Sequence, residues 1–143
     1  MMRYTIYEGE KETVKLQDEI DYLNNYIELH KIRYKKSVKI TFSHNIDTSL
    51  TVAPLLYIIL LENAFKHGVE NLRTDAYVHA SLKTVDSDIV FEIENNFDPE
   101  INEAPGIGLE NLKRRLELGY PKSHSLVLDV NDNVYKAQLT LKP

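Results

Sequence analysis

Cysteine is absent from the 143 residues. Its absence excludes disulfide frameworks, thiolate metal sites, iron–sulfur clusters and cysteine nucleophiles. Long hydrophobic runs are missing as well. The longest, Val52 to Leu61, spans ten residues, half of the about 20 that a membrane helix needs. Basic residues are in deficit, 17 Lys and Arg against 22 Asp and Glu, for a formal net charge of −5. Such a chain lacks the phosphate-neutralising excess of a sequence-independent nucleic-acid binder, so no nucleic-acid partner is expected. No internal repeat, low-complexity tract or flexible linker divides it. Met1 to Glu10 is polar and aromatic rather than apolar, so no secretory leader is expected and the expected setting is cytoplasmic. There is no P-loop pattern, no G-x-S-x-G elbow and no H-E-x-x-H zinc motif. The five histidines are dispersed, without metal-ligand spacing.

What is present is an apolar content of 43%, enough for the core of one ordinary domain. Thr13 precedes a helical pattern that runs to about Tyr34. Its apolar stripe is Ile20, Leu23, Ile27 and Tyr34, with His30 at the intervening step and Leu16 and Leu29 widening it. Glu19, Asp21, Glu28, Lys31, Arg33 and Lys35 read as mostly solvated face. Val38, Ile40 and Phe42 alternate with polar residues as in a half-buried strand. A second helix is predicted from near Val52, with Pro54 in its first turn and Gly68 as a left-handed cap. It is apolar on every side from Leu55 to Leu61, hence buried. Two strands follow, Ala76 to Leu82 and Ile89 to Ile93, joined through Asp86-Ser87-Asp88. Phe97 to Pro105 is an aperiodic loop. A third helix spans Gly108 to Leu118, with Gly119 suited to its cap, and two strands around Leu126–Val130 and Val134–Leu141 close the chain. The order predicts an α+β fold: a two-layer sandwich, with a mixed sheet, helices on one face, and an additional N-terminal helix. Residues 1–36 are expected to form the N-terminal helical region and 37–143 the main domain.

Three segments concentrate polar groups in an otherwise apolar framework. The buried helix ends in Glu62-Asn63-Ala64-Phe65-Lys66-His67-Gly68. Asn63 and His67 share a face there, and Asn63 neighbours Lys66. An amide oxygen for a hard cation and donors for phosphate oxygens would lie together; equally, the helix could simply surface at this point. Gly106-Ile107-Gly108 opens the third helix, where backbone N–H groups and the helix dipole favour an anion; a flexible loop is the plainer reading. Asn95 or Asn96, where a strand runs out, could pair with a nucleobase edge or close an Asx-type turn.

Together these segments resemble the ATP-binding domain of LytS-type sensor histidine kinases, in the gyrase/chaperone/kinase ATPase superfamily. Leu55 through Gly68 is similar to the family's N box, and Gly106 through Leu116 to its G2 box. Val14 through Leu29 is similar to the helix joining the dimerisation helices to the ATP domain. The resemblance implies a Bergerat-type fold and ATP and Mg²⁺ as cofactors. It implies Asn63 as the Mg²⁺ ligand, and Lys66 and His67 near the phosphates or ribose. It puts Gly68, Gly106 and Gly108 at phosphate positions and Asn95 at the adenine-reading position. Ile107 and Leu109 would line the pocket, and Asn111 would support the glycine turn. Glu62 is the candidate for orienting a nucleophile or water. The implied partners are an upstream dimerisation and phosphoacceptor domain, a response regulator and a second protomer of the full-length protein, itself membrane-anchored.

The sequence departs from the family in two places. The D-x-G-x-G of the G1 box reads Asn95-Asn96-Phe97-Asp98-Pro99, without glycine. The P-H-F-x-x-N acceptor segment is absent, so the chain is expected to be part of a larger kinase, with His30 not its acceptor. A nucleotide-sensing or interaction module that binds ATP weakly or not at all, and a helical dimerisation module, are the competing readings.

Overall fold

The computed structural model describes residues 13–33, 38–100 and 107–142, with the side chain of Ile107 outside that description. The elements run β1 (Val14–Lys15), α1 (Leu16–Arg33), β2 (Val38–Asn45), β3 (Thr51–Val52), α2 (Tyr57–His67), a 3-10 turn (Val69–Asn71), β4 (Ala76–Val85), β5 (Asp88–Asn96), α3 (Ile107–Gly119), β6 (His124–Asn131) and β7 (Val134–Leu141). Five strands form one sheet in the order β2-β4-β5-β7-β6. The β2–β4 pair is parallel and the other three pairs are antiparallel, so the sheet is mixed as predicted.

Strand alternation decides which face is covered. Ala76, Val78, Ala80 and Leu82 of β4, Ile89, Phe91 and Ile93 of β5, and Ala137, Leu139 and Leu141 of β7 are buried. They meet Ile20, Leu23 and Ile27 of α1, Leu60, Leu61, Ala64 and Phe65 of α2, and Leu112 and Leu116 of α3 in a single core. The intervening residues line a polar open face that includes Thr41, His79, Glu92, Glu94 and Lys136. The β4–β5 connection is a two-residue turn, with φ positive at both Asp86 and Ser87. That is the primed geometry that matches strand twist.

Four expectations are corrected. α2 begins at Tyr57, not near Val52. Val52 pairs with Val14 instead, and Leu55 has a φ of 63°; a left-handed residue directly after Pro54 breaks any helix attempted earlier. Gly68 is not a left-handed cap, since its φ is −103° and ψ −78°. Glu19 is not solvated: it is only 2% exposed, and its Oε1 accepts the Leu55 N–H at 2.7 Å. Leu29 does not widen the buried stripe; it is 56% exposed, two residues past the buried Ile27 and so about 200° around the helix from it. Tyr34 and Lys35 lie outside the described residues. Gly119 is the last residue of α3, and the left-handed position that follows the helix falls on Lys122.

Candidate functional site

The site is built where α2 ends. Asn63 is half-buried and its side chain makes no hydrogen bond to another described residue. Lys66 is exposed, and His67 is half-buried in the last turn, its carbonyl accepting from Asn71 Nδ2 at 3.4 Å. Gly68 follows, with its N–H donating to Ala64 O at 3.0 Å. A Cβ at Gly68 would stand 2.5 Å from Asn95 Nδ2 and 2.7 Å from both Ala64 O and Asn96 O. Glycine is therefore required for close approach, not for backbone handedness. The end of α2 and the end of β5 touch at this point.

Asn95 and Asn96 face opposite sides of the sheet and are bonded differently. Asn96 Oδ1 accepts the Tyr77 N–H at 2.9 Å and its Nδ2 donates to Asp75 O at 2.7 Å. Its amide is spent on closing the start of β4. Asn95 is on the helix-covered face, 2% exposed, with Nδ2 donating to Asn96 O at 3.0 Å. Just beyond, Phe97 N–H donates to Asn133 O at 2.9 Å, which ties the departing chain to the β6–β7 turn. Asp98 Oδ1 then accepts the Glu100 N–H at 2.9 Å, an Asx-type turn.

The third component is the start of α3. A Cβ at Gly108 would lie 3.5 Å from Ile59 Cγ2. Ile59 and Asn63 are four apart on α2 and share a face, so the candidate metal amide and the candidate phosphate turn are neighbours. Leu109 is partly buried and packs against the core, while Asn111 is exposed. Gly106 lies outside the described residues, as does most of the loop predicted from Phe97 to Pro105.

Glu62 belongs to a different environment. Burial raises its pKa, and the nearby His30 partly offsets this. Tyr22 is raised by burial and then by the charges of Glu62 and Glu19. The carboxylate thus sits beside α1. His30 stacks on Tyr26 with centroids 3.9 Å apart, and its Nδ1 lies 3.0 Å from Tyr26 O; Phe65 of α2 is 5.3 Å from it, centroid to centroid. This histidine is a packing element between α1 and α2.

Sequence reasoning missed three contributors. Arg115 of α3 donates from Nη1 to Leu55 O at 2.9 Å and from Nη2 to Pro54 O at 2.6 Å. Tyr120 Oη accepts the Ala53 N–H at 2.8 Å. With Glu19, they hold the segment that launches α2. The third is Tyr135, which β7 places opposite Asn95. Its strand alternation with Ala137, Leu139 and Leu141 was the available signal.

Among the described residues no group of three or more His, Asp or Glu side chains is arranged to hold a metal ion. An amide oxygen alone at Asn63 fits a hard ion that draws its other ligands from phosphates and water, which is how Mg²⁺ is commonly held.

This assembly, a mixed sheet covered on one face by three helices with the site where α2, β5 and α3 meet, is the fold of histidine kinase catalytic domains. The catalytic domain of the histidine kinase ThkA superposes with a TM-score of 0.66 at 16% identity, covering 91% of this chain and 93% of that one. The histidine kinase domain of the blue-light activated kinase EL346 of Erythrobacter litoralis superposes with a TM-score of 0.66 at 18% identity, covering 92% of this chain and 68% of that one. A family model described as Histidine kinase matches residues 1–38.

The homologues are sensor histidine kinases, LytS among them. Sensor histidine kinase BtsS of Escherichia coli K12 is 26% identical over 135 residues, 92% of this chain and 24% of that protein. Sensor protein LytS of Streptococcus mutans is 25% identical over 144 residues, 91% of this chain and 25% of that protein. The chain thus spans about a quarter of the length of these relatives. No helix among the described residues is long and apolar enough to cross a membrane.

Proposed function

We propose that this chain is the Mg-ATP-binding catalytic portion of a sensor histidine kinase, with residues 37–143 as the ATP domain and 1–36 as the helical connection to a phosphoacceptor domain. The observation that carries the reading is the convergence of three chain segments. Gly68 admits Asn95 against the end of α2, and Gly108 rests on the Ile59–Asn63 face of the same helix.

In this reading Asn63 supplies the protein's oxygen ligand to Mg²⁺. When bound there, the ion would offset the negative charge of the phosphates. The N–H groups at the start of α3 face the phosphates, where the helix dipole favours negative charge. Lys66 and His67 add donors at the open side. The γ-phosphoryl is presented to a histidine outside this sequence: its imidazole nitrogen bonds to phosphorus as the bond to the bridging oxygen breaks and ADP leaves. The domain's share of catalysis is positioning and electrostatic stabilisation. Glu62, beside His30 on α1, orients the nucleophile or a water only if the upstream helices bring the reaction to that side. The phosphate then passes to a response regulator. A likeness to ThkA as solved in complex with the response regulator TrrA, with a TM-score of 0.64 at 14% identity over 99% of this chain and 46% of that one, supports the choice of partner. The domain acts in the cytoplasm, within a dimeric, membrane-anchored protein.

A titration of fluorescent ATP with and without Mg²⁺ tests the proposal. Binding that strengthens with Mg²⁺ supports it; no Mg-dependent binding at millimolar nucleotide rejects it. A second reading, a nucleotide-sensing module without phosphotransfer, draws on the glycine-free run Asn95-Asn96-Phe97-Asp98-Pro99. Mg-dependent binding without transfer to histidine in the full-length protein would select it.

A further inference from the structure

The sheet ends on β6, which pairs with β7 on one side and with no strand on the other among the described residues. Its register to β7 runs unbroken from His124 to Asn131, without a bulge. The Lys142 N–H donates to Ser123 O at 2.9 Å, which fixes the ladder. Residues 125, 127, 129 and 131 bond inward to β7, and His124, Leu126, Leu128 and Val130 turn their N–H and C=O groups outward. Those outward groups have no hydrogen-bond partner among the described residues. Edge strands are ordinarily blocked by lysine, proline or a bulge. β6 has none of these, whereas β2 at the other edge carries Lys39. Val127 is 53% exposed and Val130 59%, with Leu128 exposed between them. An unblocked apolar edge of this kind is a template for another strand.

The strand is complementary to itself. A two-fold axis through Val127, normal to the sheet, sets a second β6 antiparallel to the first. Leu126 then faces Leu128 of the second copy and His124 faces its Val130, and each such pair exchanges both backbone bonds. Every outward group of the strand is satisfied, which no other register achieves. On the open face Val127 meets its own symmetry mate, and Ser125 meets Asp129, a hydroxyl donor against a carboxylate acceptor. Moving the axis to Asp129 would instead set two carboxylates against each other. Within its own sheet Asp129 stands opposite Lys136, which offsets its charge.

We propose that β6 is a self-pairing interface: two copies of this chain join edge to edge about an axis at Val127, and their five-stranded sheets merge into one. Any extended strand can bond to the outward backbone groups. The match of side chains about Val127 selects a second copy as the occupant. Nothing in the proposal depends on nucleotide binding.

The test uses the whole chain without nucleotide. Sedimentation velocity from micromolar to millimolar concentration should show a monomer–dimer equilibrium and no larger species. Val127→Lys sets two ammonium groups opposite each other at the axis and should weaken the dimer about tenfold or more. The melting temperature of the dilute protein should not change, because Val127 is more than half exposed. Ser125→Lys places a cation against Asp129 of the other copy and should tighten the dimer about threefold or more through two symmetric pairs. The chain has no cysteine, so single cysteines report the register. At a non-hydrogen-bonded antiparallel pair the Cα atoms are about 4.5 Å apart, within the span of a disulfide. Val127→Cys should therefore cross-link under mild oxidation. Ser125→Cys and Asp129→Cys should each resist alone and cross-link when mixed. A monomer throughout the concentration range overturns the proposal. So does a dimer indifferent to Val127→Lys, growth into open-ended oligomers, or Ser125→Cys cross-linking as readily as Val127→Cys. If Val127→Lys fails to fold, the cysteine variants decide alone.

Discussion

The carboxylate of Glu19, buried on α1, accepts the backbone N–H of Leu55 at 2.7 Å, two residues before α2 begins. Leu55 is left-handed, a conformation that costs a branched residue about 1–2 kcal/mol. The bond to Glu19 and the two from Arg115 to Pro54 O and Leu55 O offset that cost. The segment that aims α2 is thus held from α1 on one side and α3 on the other. Glu19→Ala should destabilise the protein by about 2–3 kcal/mol, the scale of a lost charge-assisted bond plus an orphaned buried N–H. Glu19→Gln keeps an acceptor and should recover more than half of the loss. Urea denaturation checks both; equal losses in the two variants would show that the bond to Leu55 is not what matters. Because both side chains grip one residue, the effects of Glu19→Gln and Arg115→Ala should be non-additive.

Gly68→Ala and Gly108→Ala should behave oppositely in the free protein. At Gly68 the added methyl meets two carbonyl oxygens and the Asn95 amide at 2.7 Å or less, and backbone cannot retreat as a side chain can. The expected loss is about 1–3 kcal/mol, the usual scale of overpacking. At Gly108 the methyl makes an ordinary 3.5 Å contact with Ile59 in a helix, where alanine is favoured over glycine by up to about 1 kcal/mol. Its melting temperature should hold or rise. A drop at Gly108 as large as that at Gly68 would contradict the packing described.

The contrast between those glycines also marks how far the sequence could be read. Period-two strands and the Asp86-Ser87 turn were legible because each is a local pattern with a local cause. The two glycine positions were legible as important, but the reason at Gly68 was not: it is a contact between residues 27 apart, which no spacing along α2 encodes. The run from Val52 to Leu61 misled for a related reason. A wholly apolar stretch carries no periodicity, so strand, turn and helix look alike within it, and only Pro54 marked the break. Glu19 was assigned to solvent by residue type. Its position, three after Leu16 and four before Leu23, put it on the buried arc all along. Its partner, a backbone N–H freed by a left-handed turn, exists only in the folded chain.

The open face of the sheet has its own pH signature. Tyr77 is pushed up to about 12, first by desolvation and then by its hydrogen bond to Glu94 and that residue's charge. The bond from Tyr77 Oη to Glu94 Oε2 is 2.7 Å. A raised phenol pKa means that the folded protein keeps a proton which the unfolded chain releases near pH 10.0. The stabilisation is therefore complete below that pH and is lost as pH rises through about 12. Glu94→Gln removes the charge and should move the Tyr77 midpoint downward. Phenolate absorbance during alkaline titration, with Tyr77→Phe as the subtraction control, reads the midpoint. A midpoint that does not respond to Glu94→Gln would leave burial as the whole cause.

The metal side of the site turns on Asn63. Its side chain makes no hydrogen bond to another described residue and is half-buried, so Asn63→Ala should change stability by less than about 1 kcal/mol. If the amide oxygen ligates Mg²⁺, the same variant should lose most of the gain in ATP affinity that Mg²⁺ confers, while metal-free affinity changes little. Asn63→Asp substitutes a charged oxygen ligand and should shift the Mg²⁺ concentration dependence, because the added charge favours the ion yet repels uncomplexed phosphates. Gly108→Ala completes the set: with its fold intact, a weaker affinity for ATP would come from a methyl standing where the backbone must approach the phosphates. Titrations of all three variants with and without Mg²⁺ separate these effects. Wild-type affinity in Asn63→Ala and Gly108→Ala alike would remove the nucleotide from the junction of α2 and α3.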